Sequence, residues 1–408
     1  MGMMHRRTFF KATTGIVAAP FISKYAFADD TIKVAAIHDV SGVLDILGKP
    51  MASMVAMAID EINQAGGLLG RKIELVNFDT QSNNQLYGQY ATEAATRYRV
   101  AAVFGAVTSA SREVIRPILR RYKTLLFYST QYEGGVCDRN IFCLGTTPGQ
   151  KTVKIVPYAM KKFGKRVYTV AADYNFGHIV SKWHKKVVEE NGGKFEGVEF
   201  FPLEQTDFGP TLKKIQSIKP DLVMADLVGS NHIGFFRQWT AAGMSGRIGL
   251  ASTIFGTGNE QLFTNPAEHN GILTSATYFP EIDTPQNKEF VARAAKVTGT
   301  DRSPINELPA MSYYAPKLWA EGVKAAGTFD RDKVIQALEG NLTYNGPGGP
   351  VTVDGKCHHV SHDIYIAQAK NHSFELLEKY DQLPPSDTAA VCDLAANPND
   401  TKQYVLGN

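Results

Sequence analysis

The sequence predicts an α/β protein made of two lobes, each with a parallel sheet covered by helices. Short apolar runs alternate with amphipathic helical segments along most of the chain, and this alternation is typical of parallel sheets with helices on both faces. It stops after Gly145-Thr146-Thr147-Pro148-Gly149 and then starts again. The chain has 408 residues, of which 44% are hydrophobic, so it is long enough for two lobes.

The first lobe begins with an apolar strand and continues in strand and helix pairs. Its apolar runs predict strands at residues 31–37, 71–78, 100–104 and 124–127. Helical spacing of apolar residues predicts helices at residues 50–65 and 86–98 and a third with Ile115, Ile118, Leu119 and Tyr122 on one face. Gly66-Gly67 ends the first helix, since glycine terminates helices readily.

The second lobe repeats this pattern after residue 149. The predicted helices are at residues 152–162, 179–191, 208–218 and 233–242, and the strands at 166–172, 194–201, 221–226, 247–252 and 271–278.

The rest of the chain is less regular, with helices predicted at 287–297, 311–326 and 331–338 and strands from Val351 onward. We expect crossings between the lobes near Gly145, near residues 280–285 and near residues 346–350, and several crossings make a hinge. The predicted division is residues 31–148 plus about 281–347 for lobe 1, 149–280 plus about 351–383 for lobe 2, and a C-terminal tail at 384–408.

Residues 1–28 have the pattern of a removable export signal. Arg6 and Arg7 open it as a twin-arginine motif, a moderately apolar stretch follows, and Ala26-Phe27-Ala28 fits the cleavage pattern. We expect cleavage near Ala28. A membrane anchor is the alternative, but the apolar stretch is short of the roughly 20 residues needed to span a bilayer.

Four cysteines, Cys137, Cys143, Cys357 and Cys392, fit an exported protein in an oxidising compartment. We expect a local disulfide between Cys137 and Cys143, which would leave Cys357 and Cys392 as the second pair. Four cysteines allow three connectivities, and the sequence does not choose among them.

Two neighbouring strand ends in the first lobe are rich in hydroxyl groups. Ser109 follows one predicted strand, and Tyr128, Ser129 and Thr130 follow the next. Ligands bind at such strand ends in α/β sheets, and hydroxyls and free helix N–H groups suit a small polar molecule. In the alternative, structural interpretation, Ser109 is a helix N-cap, and Tyr128 and Tyr132 are buried aromatic residues.

The second lobe offers a similar set of strand ends. Asp173, Tyr174 and Phe176 follow one strand, and Ser230 follows the strand that ends at Asp226. If the two lobes face each other, these residues and those of the first lobe line one cleft.

Other classes of function have weaker support. The net charge of +3 comes without a dense Lys/Arg block, so we expect no nucleic-acid binding. The run from Cys357 to His362 could hold zinc, but a structural role is favoured, and we expect neither a metal nor a cofactor. The glycine-rich turn at residues 255–260 lacks the phosphate-loop pattern, and no G-x-S-x-G elbow occurs. We therefore do not expect an enzyme; an exported hydrolase is the alternative.

Several stretches together resemble a known family: IHDVSG (37–42), AIDEINQAGGLLGRKIELV (58–76), FGAVTSASR (104–112), LLFYSTQYEG (125–134) and ADYNFG (172–177). They resemble periplasmic substrate-binding proteins of the leucine/isoleucine/valine type, and within these most resemble the branch that binds urea and short-chain amides. The resemblance implies a type I periplasmic binding protein: two Rossmann-like lobes joined by a three-strand hinge, closing on a small ligand and delivering it to an inner-membrane ABC permease. We further expect a monomer.

In that branch, the residues matching Ser109, Tyr128, Thr130 and Tyr174 line the pocket. Phe176 stands in place of a tyrosine and Ser129 in place of a proline, which would allow a ligand other than urea or a simple amide. Further lining candidates are Ser41, Val107, Thr108, Asp173, Asp226 and Ser230. Residues 250–255 lack the carboxylate with which amino-acid binders hold the ligand ammonium. Branched-chain amino acids, small aromatic acids and a ligand-sensing regulatory role are the alternatives.

Overall fold

The computed structural model describes residues 1–2, 31–299 and 305–405. Nearly all of the predicted export signal, including the cleavage site near Ala28, lies outside the described residues. Among the helices that are described, none combines the length and apolar character needed to cross a bilayer.

The first part of the chain alternates strands and helices, as the periodicity predicts. It forms strands β1 (Ile32–His38), β2 (Ile73–Asp79), β3 (Ala102–Gly105), β4 (Leu125–Tyr128) and β5 (Ile141–Cys143), with helices α1 (Asp45–Gln64), α2 (Asn84–Glu93) and α3 (Ser109–Arg121). The predicted apolar face of α1 is buried, including Met51, Met54 and Ile62. Neighbouring strands pair in parallel in the order β2-β1-β3-β4-β5.

A second alternating part follows residues 144–151. It contains α4 (Thr152–Phe163), β6 (Arg166–Ala172), α5 (Asn175–Glu190), β7 (Lys194–Phe201), α6 (Gly209–Ile218), β8 (Leu222–Asp226), α7 (Ser230–Ala241), β9 (Gly249–Ser252), α8 (Glu260–Phe263), α9 (Pro266–His269) and β10 (Leu273–Ala276). The strand order is β10-β9-β8-β6-β7, again with parallel pairing.

The last part of the chain packs against and extends the first sheet, and it then connects the first sheet to the second. Its elements are α10 (Pro285–Thr298), α11 (Glu307–Ala326), α12 (Arg331–Glu339), β11 (Thr343–Gly346), β12 (Gly349–Asp354), β13 (His359–Lys370), β14 (Ser373–Leu383) and α13 (Ser386–Ala389). Helices α10 and α11 pack on α1. We call β1–β5 with α1–α3 and α10–α12 the first lobe, and β6–β10 with α4–α9 the second lobe.

Strand β13 connects the two lobes. Its first residues pair with β5 at Cys143 and with β12, whereas its later residues pair with β10 and β14. The predicted crossing near residues 346–350 is wrong, because β11 and β12 form a hairpin there, with Gly346 paired to Gly349. Three glycines and two prolines in five residues favour a tight hairpin turn as much as a crossing, so composition alone does not separate the two.

The predicted helix at residues 86–98 begins at Asn84 in the structure and is not α-helical throughout. It is regular to Glu93 and continues as a π-helical turn, Ala94–Tyr98, which ends at Arg99 with a φ of 51°. The three-residue strand β5 was not predicted, since three residues show no periodicity. Such short strands form through their neighbours, here β4 and β13.

The predicted disulfide between Cys137 and Cys143 is wrong. Cys137 is bonded to Cys392, and among the described residues Cys143 and Cys357 are buried free thiols. Cys143 is held in β5 between β4 and β13. Cys137 instead faces the C-terminal segment, where its backbone N–H donates to the Lys402 carbonyl at 2.8 Å. The tail is thus tethered by Cys392, but through Cys137 and not through the expected Cys357.

Alkylation mapping tests this pairing. After unfolding without reductant, iodoacetamide is expected to label Cys143 and Cys357, while Cys137 and Cys392 appear in one cross-linked peptide pair by mass spectrometry. Both thiols should resist alkylation in the folded protein, because burial raises the pKa of Cys143 to about 12 and also raises that of Cys357. A reduced sample, in which all four are labelled, is the control. A peptide linking Cys137 to Cys143 would contradict the structure.

Candidate ligand-binding site

A small cavity lies between the two lobes. Its lining residues are Leu47, Val107, Ser109, Tyr128, Thr130, Gln131 and Leu308 from the first lobe and Tyr174, Phe176, Val228, Ile254 and Thr257 from the second.

Parallel strand ends bring these residues together. In the first lobe, β3 pairs with β4, so that Ser109 and Tyr128 emerge side by side. Thr108 caps α3, where its hydroxyl accepts the Ser111 N–H at 3.0 Å. In the second lobe, β6 pairs with β8, so Tyr174 and Val228 emerge at one edge. The cavity therefore lies at the carboxyl ends of both sheets, as is general for α/β folds.

The structure places six of the predicted site residues on the cavity wall: Val107, Ser109, Tyr128, Thr130, Tyr174 and Phe176. That they contact a ligand stays a prediction.

Three other predicted residues of the first lobe do not line the cavity. Ser129 is buried, but its hydroxyl donates to the Met311 carbonyl at 3.2 Å. Thr108 is the N-cap of α3, and the exposed Ser41 donates to Asp79 at 2.7 Å. In each case a neighbouring group takes the hydroxyl that the sequence offered to a ligand.

The remaining three, in the second lobe, also lie outside the cavity wall. Asp173 is exposed and pairs with His178 at 2.8 Å. Ser230 is the exposed first residue of α7. Asp226 is buried, accepts the Thr253 N–H at 2.8 Å and lies 3.2 Å from His184 Nε2.

Sequence reasoning missed six lining residues: Leu47, Gln131, Val228, Ile254, Thr257 and Leu308. Gln131 follows Thr130 in the same motif, so that motif could have indicated it. Thr257 lies in the glycine-rich turn at residues 255–260, which lacks the phosphate-loop pattern and so gave no sign of a binding site. The four aliphatic residues carry no local signal, because aliphatic side chains in a cleft and in a core look alike in sequence.

A buried ion pair lies directly behind Ser109. Arg112 donates to Glu133 Oε1 at 3.0 Å, and both side chains are completely buried. The guanidinium also lies over the rings of Tyr128 and Tyr132, at 5.0 and 4.4 Å from their centres. Burial alone would lower the pKa of Arg112, but the attraction of Glu133 outweighs it and the pKa is raised. Arg112 therefore stays charged.

This ion pair fixes the direction in which the Ser109 hydroxyl donates its hydrogen. Ser109 Oγ donates to Glu133 Oε2 at 2.5 Å, while Glu133 Oε1 accepts from Arg112, Asn175 and Gln403. A carboxylate has no hydrogen to give, so Ser109 must be the donor. Its oxygen accepts one long bond from Arg112 at 3.4 Å, and this bond uses one of the two lone pairs. Ser109 thus presents an acceptor.

Gln131 is oriented in the opposite sense. Its Oε1 accepts from the buried Lys151 Nζ, which also donates to Glu307 Oε2 at 2.8 Å. An ammonium only donates, so the amide oxygen must face Lys151. The Nε2 group has no acceptor within the described part of the protein, and Gln131 lines the cavity. Gln131 thus presents a donor.

Two further hydroxyls complete this pattern. Thr257 donates to the Ile254 carbonyl at 2.7 Å, so its oxygen remains an acceptor. The Tyr128 hydroxyl is buried without a hydrogen-bond partner among the described residues. Burial raises the pKa of Tyr128, so the phenol keeps its hydrogen and can donate.

The histidines of the predicted zinc alternative are held separately. His358 pairs with Glu339 at 3.1 Å, His359 contacts the Cys357 carbonyl at 2.7 Å, and His362 contacts Thr277 at 3.0 Å. Over the described ranges, no group of three or more His, Cys, Asp or Glu side chains is arranged to hold a metal ion.

Comparison with known proteins identifies the family. A model described as "Periplasmic binding protein" matches residues 31–373, which is most of the chain. The chain belongs to the periplasmic binding protein family. Membership of this family supports the predicted binding role and periplasmic location. The predicted fold class is confirmed.

Relatives of known name support this assignment. The leucine-, isoleucine-, valine-, threonine- and alanine-binding protein of Pseudomonas aeruginosa is 28% identical over 343 residues, 82% of this chain and 88% of the relative. The Leu/Ile/Val-binding protein homolog 6 of Brucella melitensis is 24% identical over 367 residues, 88% and 92% of the two chains.

Solved structures share the fold. A solute-binding protein from Rhodopseudomonas palustris HaA2 in complex with p-hydroxybenzoic acid has a TM-score of 0.77 at 25% identity, covering 87% of this chain and 98% of that one. A leucine-binding protein from Thermotoga maritima has a TM-score of 0.74 at 22% identity, covering 87% and 100%.

The buried histidine behind the cavity predicts a dependence of stability on pH. His359 contacts the Tyr132 hydroxyl, and burial lowers its pKa from 6.5 to about 4. Between pH 6.5 and 4 the unfolded chain binds a proton there that the folded protein does not, so the free energy of unfolding falls as pH falls. His359→Gln should reduce the slope of the unfolding free energy against pH by about 1.4 kcal/mol per pH unit near pH 5, which corresponds to about one proton.

Unfolding in guanidinium chloride at several pH values between 7.5 and 5 measures the slope. His38 and His362 have lowered pKa values for the same reason, so part of the wild-type slope should persist in the variant. A circular dichroism spectrum at pH 7.5 that matches wild type is the control for folding. An unchanged slope would show that His359 is protonated in the folded protein.

Proposed function

We propose that this periplasmic binding protein carries a small uncharged amide, either a short-chain carboxamide or urea, to its ABC permease. The observation that carries the proposal is the hydrogen bond by which Ser109 gives its hydrogen to Glu133. A site that accepts at Ser109 and donates nearby matches a ligand with both N–H donors and a carbonyl oxygen.

The amide group fits this arrangement atom by atom. Its N–H hydrogens can be accepted by Ser109 Oγ and by Thr257 Oγ1, whose own hydrogens are used within the protein. Its carbonyl oxygen can accept from the Gln131 NH₂ group or from the Tyr128 hydroxyl. Both kinds of contact satisfy polar groups that would otherwise be stranded in a closed site, at about 1–3 kcal/mol each.

The same groups disfavour a carboxylate. The lining residues carry no formal charge, so a bound carboxylate would have no cation in contact with it. Its oxygens would also face the Ser109 oxygen with the Glu133 carboxylate behind it. Burying an unpaired anion in such a place is costly.

An α-amino acid fits poorly because its ammonium lacks a free carboxylate. Glu133 is paired with Arg112, and Asp226 is surrounded by Thr253, Ser252 and His184. Neither Glu133 nor Asp226 belongs to the cavity wall. The amino-acid specificity of the Pseudomonas aeruginosa relative is therefore not the specificity we propose here.

The apolar wall favours an amide with an organic group over urea itself. Leu47, Val107, Phe176, Ile254 and Leu308 all line the cavity, and contact with them gains about 25 cal/mol for each Å² of apolar surface removed from water. Phe176 also removes the hydroxyl of the tyrosine usual in the urea and amide branch. Ser129 does not compensate for it, since its hydroxyl is bonded to Met311.

A small aromatic acid is the second candidate. The Rhodopseudomonas palustris structure holds p-hydroxybenzoic acid, and the rings of Tyr128, Tyr174 and Phe176 form an aromatic wall. The hydrogen-bond pattern at Ser109 argues against the acid and for the amide of the same shape.

Calorimetry with matched ligand pairs separates these candidates. We expect benzamide to bind at least about tenfold more tightly than benzoate, and butyramide more tightly than butyrate, because only the amide donates to Ser109 and Thr257. Urea and leucine complete the panel, and refolded protein excludes a co-purified solute. Tighter binding of the acids would overturn the amide proposal in favour of the aromatic or aliphatic acids.

A serine pair tests the site itself. Ser109→Ala should weaken binding of the preferred amide by about 1–3 kcal/mol, since one N–H of the ligand loses its acceptor. Ser129→Ala is the matched control: it removes a buried hydroxyl only twenty residues away in sequence, but one that is bonded to Met311 outside the cavity, so the affinity should not change. Equal losses in both variants would remove Ser109 from the site.

A further inference from the structure

The C-terminal segment, residues 386–405, forms a strap against the first lobe. Val136 and Gln403 form an antiparallel bridge, with hydrogen bonds from Cys137 N–H to the Lys402 carbonyl and from Tyr404 N–H to the Gly135 carbonyl at 2.8 and 2.7 Å. The disulfide between Cys137 and Cys392 holds the strap covalently. Residues 386–405 are therefore an ordered part of the first lobe.

The strap reaches the ion pair behind the cavity. Gln403 Nε2 donates to Glu133 Oε1, the carboxylate that takes the hydrogen of Ser109. On the strap next to it, the Thr401 carbonyl accepts from Arg116 at 2.9 Å. A residue near the C-terminus is thus two hydrogen bonds away from the cavity wall.

We propose that Gln403 is a positioning residue for the ligand site, acting through Glu133 on the Ser109 hydroxyl. The strap and its disulfide place Gln403, Gln403 holds one oxygen of Glu133, and the other oxygen of Glu133 sets the direction of the Ser109 hydrogen. The choice of amide probes below rests on the proposed function.

The geometry gives a physical reason for this role. Glu133 Oε1 accepts from Arg112 at 3.0 Å, from Asn175 at 3.4 Å and from Gln403. Asn175 belongs to the second lobe, so its long contact depends on how the lobes meet. Gln403 and Arg112 are the donors from the first lobe, and without Gln403 the carboxylate can turn about its side-chain bonds. Ser109 then loses its fixed acceptor and can donate to a ligand instead.

Two substitutions on the strap separate positioning from general stability. Gln403→Ala removes the donor to Glu133, whereas Val405→Ala trims an exposed side chain two positions further on. We expect Gln403→Ala to weaken benzamide binding by about tenfold, the usual cost of a stranded partner. We also expect a smaller ratio of benzamide to benzoate affinity, since Ser109 is no longer restricted to accepting. Val405→Ala should leave both quantities unchanged.

The disulfide provides a second, independent variant. The Cys137→Ser, Cys392→Ser double variant keeps Gln403 but frees the strap, and it should shift affinity and selectivity in the same direction as Gln403→Ala. Affinity and selectivity at wild-type values in both Gln403→Ala and the double variant would overturn the proposal. An equal loss of affinity and selectivity in Val405→Ala would also overturn the proposal.

Hydrogen exchange makes the test independent of the ligand. In protein without ligand, peptides that cover residues 106–116 should exchange faster in Gln403→Ala than in wild type or Val405→Ala, because the contacts of Ser109 and Arg112 with Glu133 loosen. If wild type binds none of the amides, the proposed function fails, while this exchange experiment still decides the role of Gln403. Unchanged exchange in Gln403→Ala would overturn that role.

Discussion

The buried pair of Arg112 and Glu133 is the interaction on which the site depends. Taking two opposite charges out of water is costly, and removing one partner of such a pair typically costs about 3–5 kcal/mol. The remaining hydrogen bonds of both side chains must therefore be satisfied locally. Ser109 from the cavity wall, Asn175 from the second lobe and Gln403 from the strap supply those of Glu133, and Arg112 also donates to Glu113 at 3.0 Å. One carboxylate thus links the ligand site, the contact between lobes and the C-terminal segment.

A second buried pair connects the cavity to the crossing between lobes. Lys151 lies where the chain enters the second lobe, and Glu307 opens α11 in the first lobe, beside the lining residue Leu308. Their ion pair holds the Gln131 amide and receives a further hydrogen bond from Thr146, a crossing residue. The Gln131 side chain on the cavity wall is thus linked by hydrogen bonds to the crossing and to α11.

In the function proposed for this protein, selectivity comes from the direction of hydrogen atoms and not from charge. Hydroxyl and amide groups can each donate or accept, and three on the cavity wall are committed to one role by a neighbouring group: Ser109 by Glu133, Gln131 by Lys151 and Thr257 by the Ile254 carbonyl. Under the proposed function, an uncharged wall of this kind discriminates between an amide and an acid of the same shape, which apolar contact alone cannot do.

The sequence by itself determined the elements and the edge of the sheet where the cavity forms. Strands β6 and β7 have their predicted bounds, the predicted face of α1 is buried, and Ser109, Tyr128, Thr130, Tyr174 and Phe176 lie together. Periodicity and strand ends are local properties, so the sequence carries them directly. Only the tertiary structure decided that Cys137 bonds Cys392, that Ser129 turns to Met311, and that Gln403 reaches Glu133. These are pairings between residues distant in the chain, and they follow from how the lobes and the strap pack, which leaves no periodic signal in the sequence.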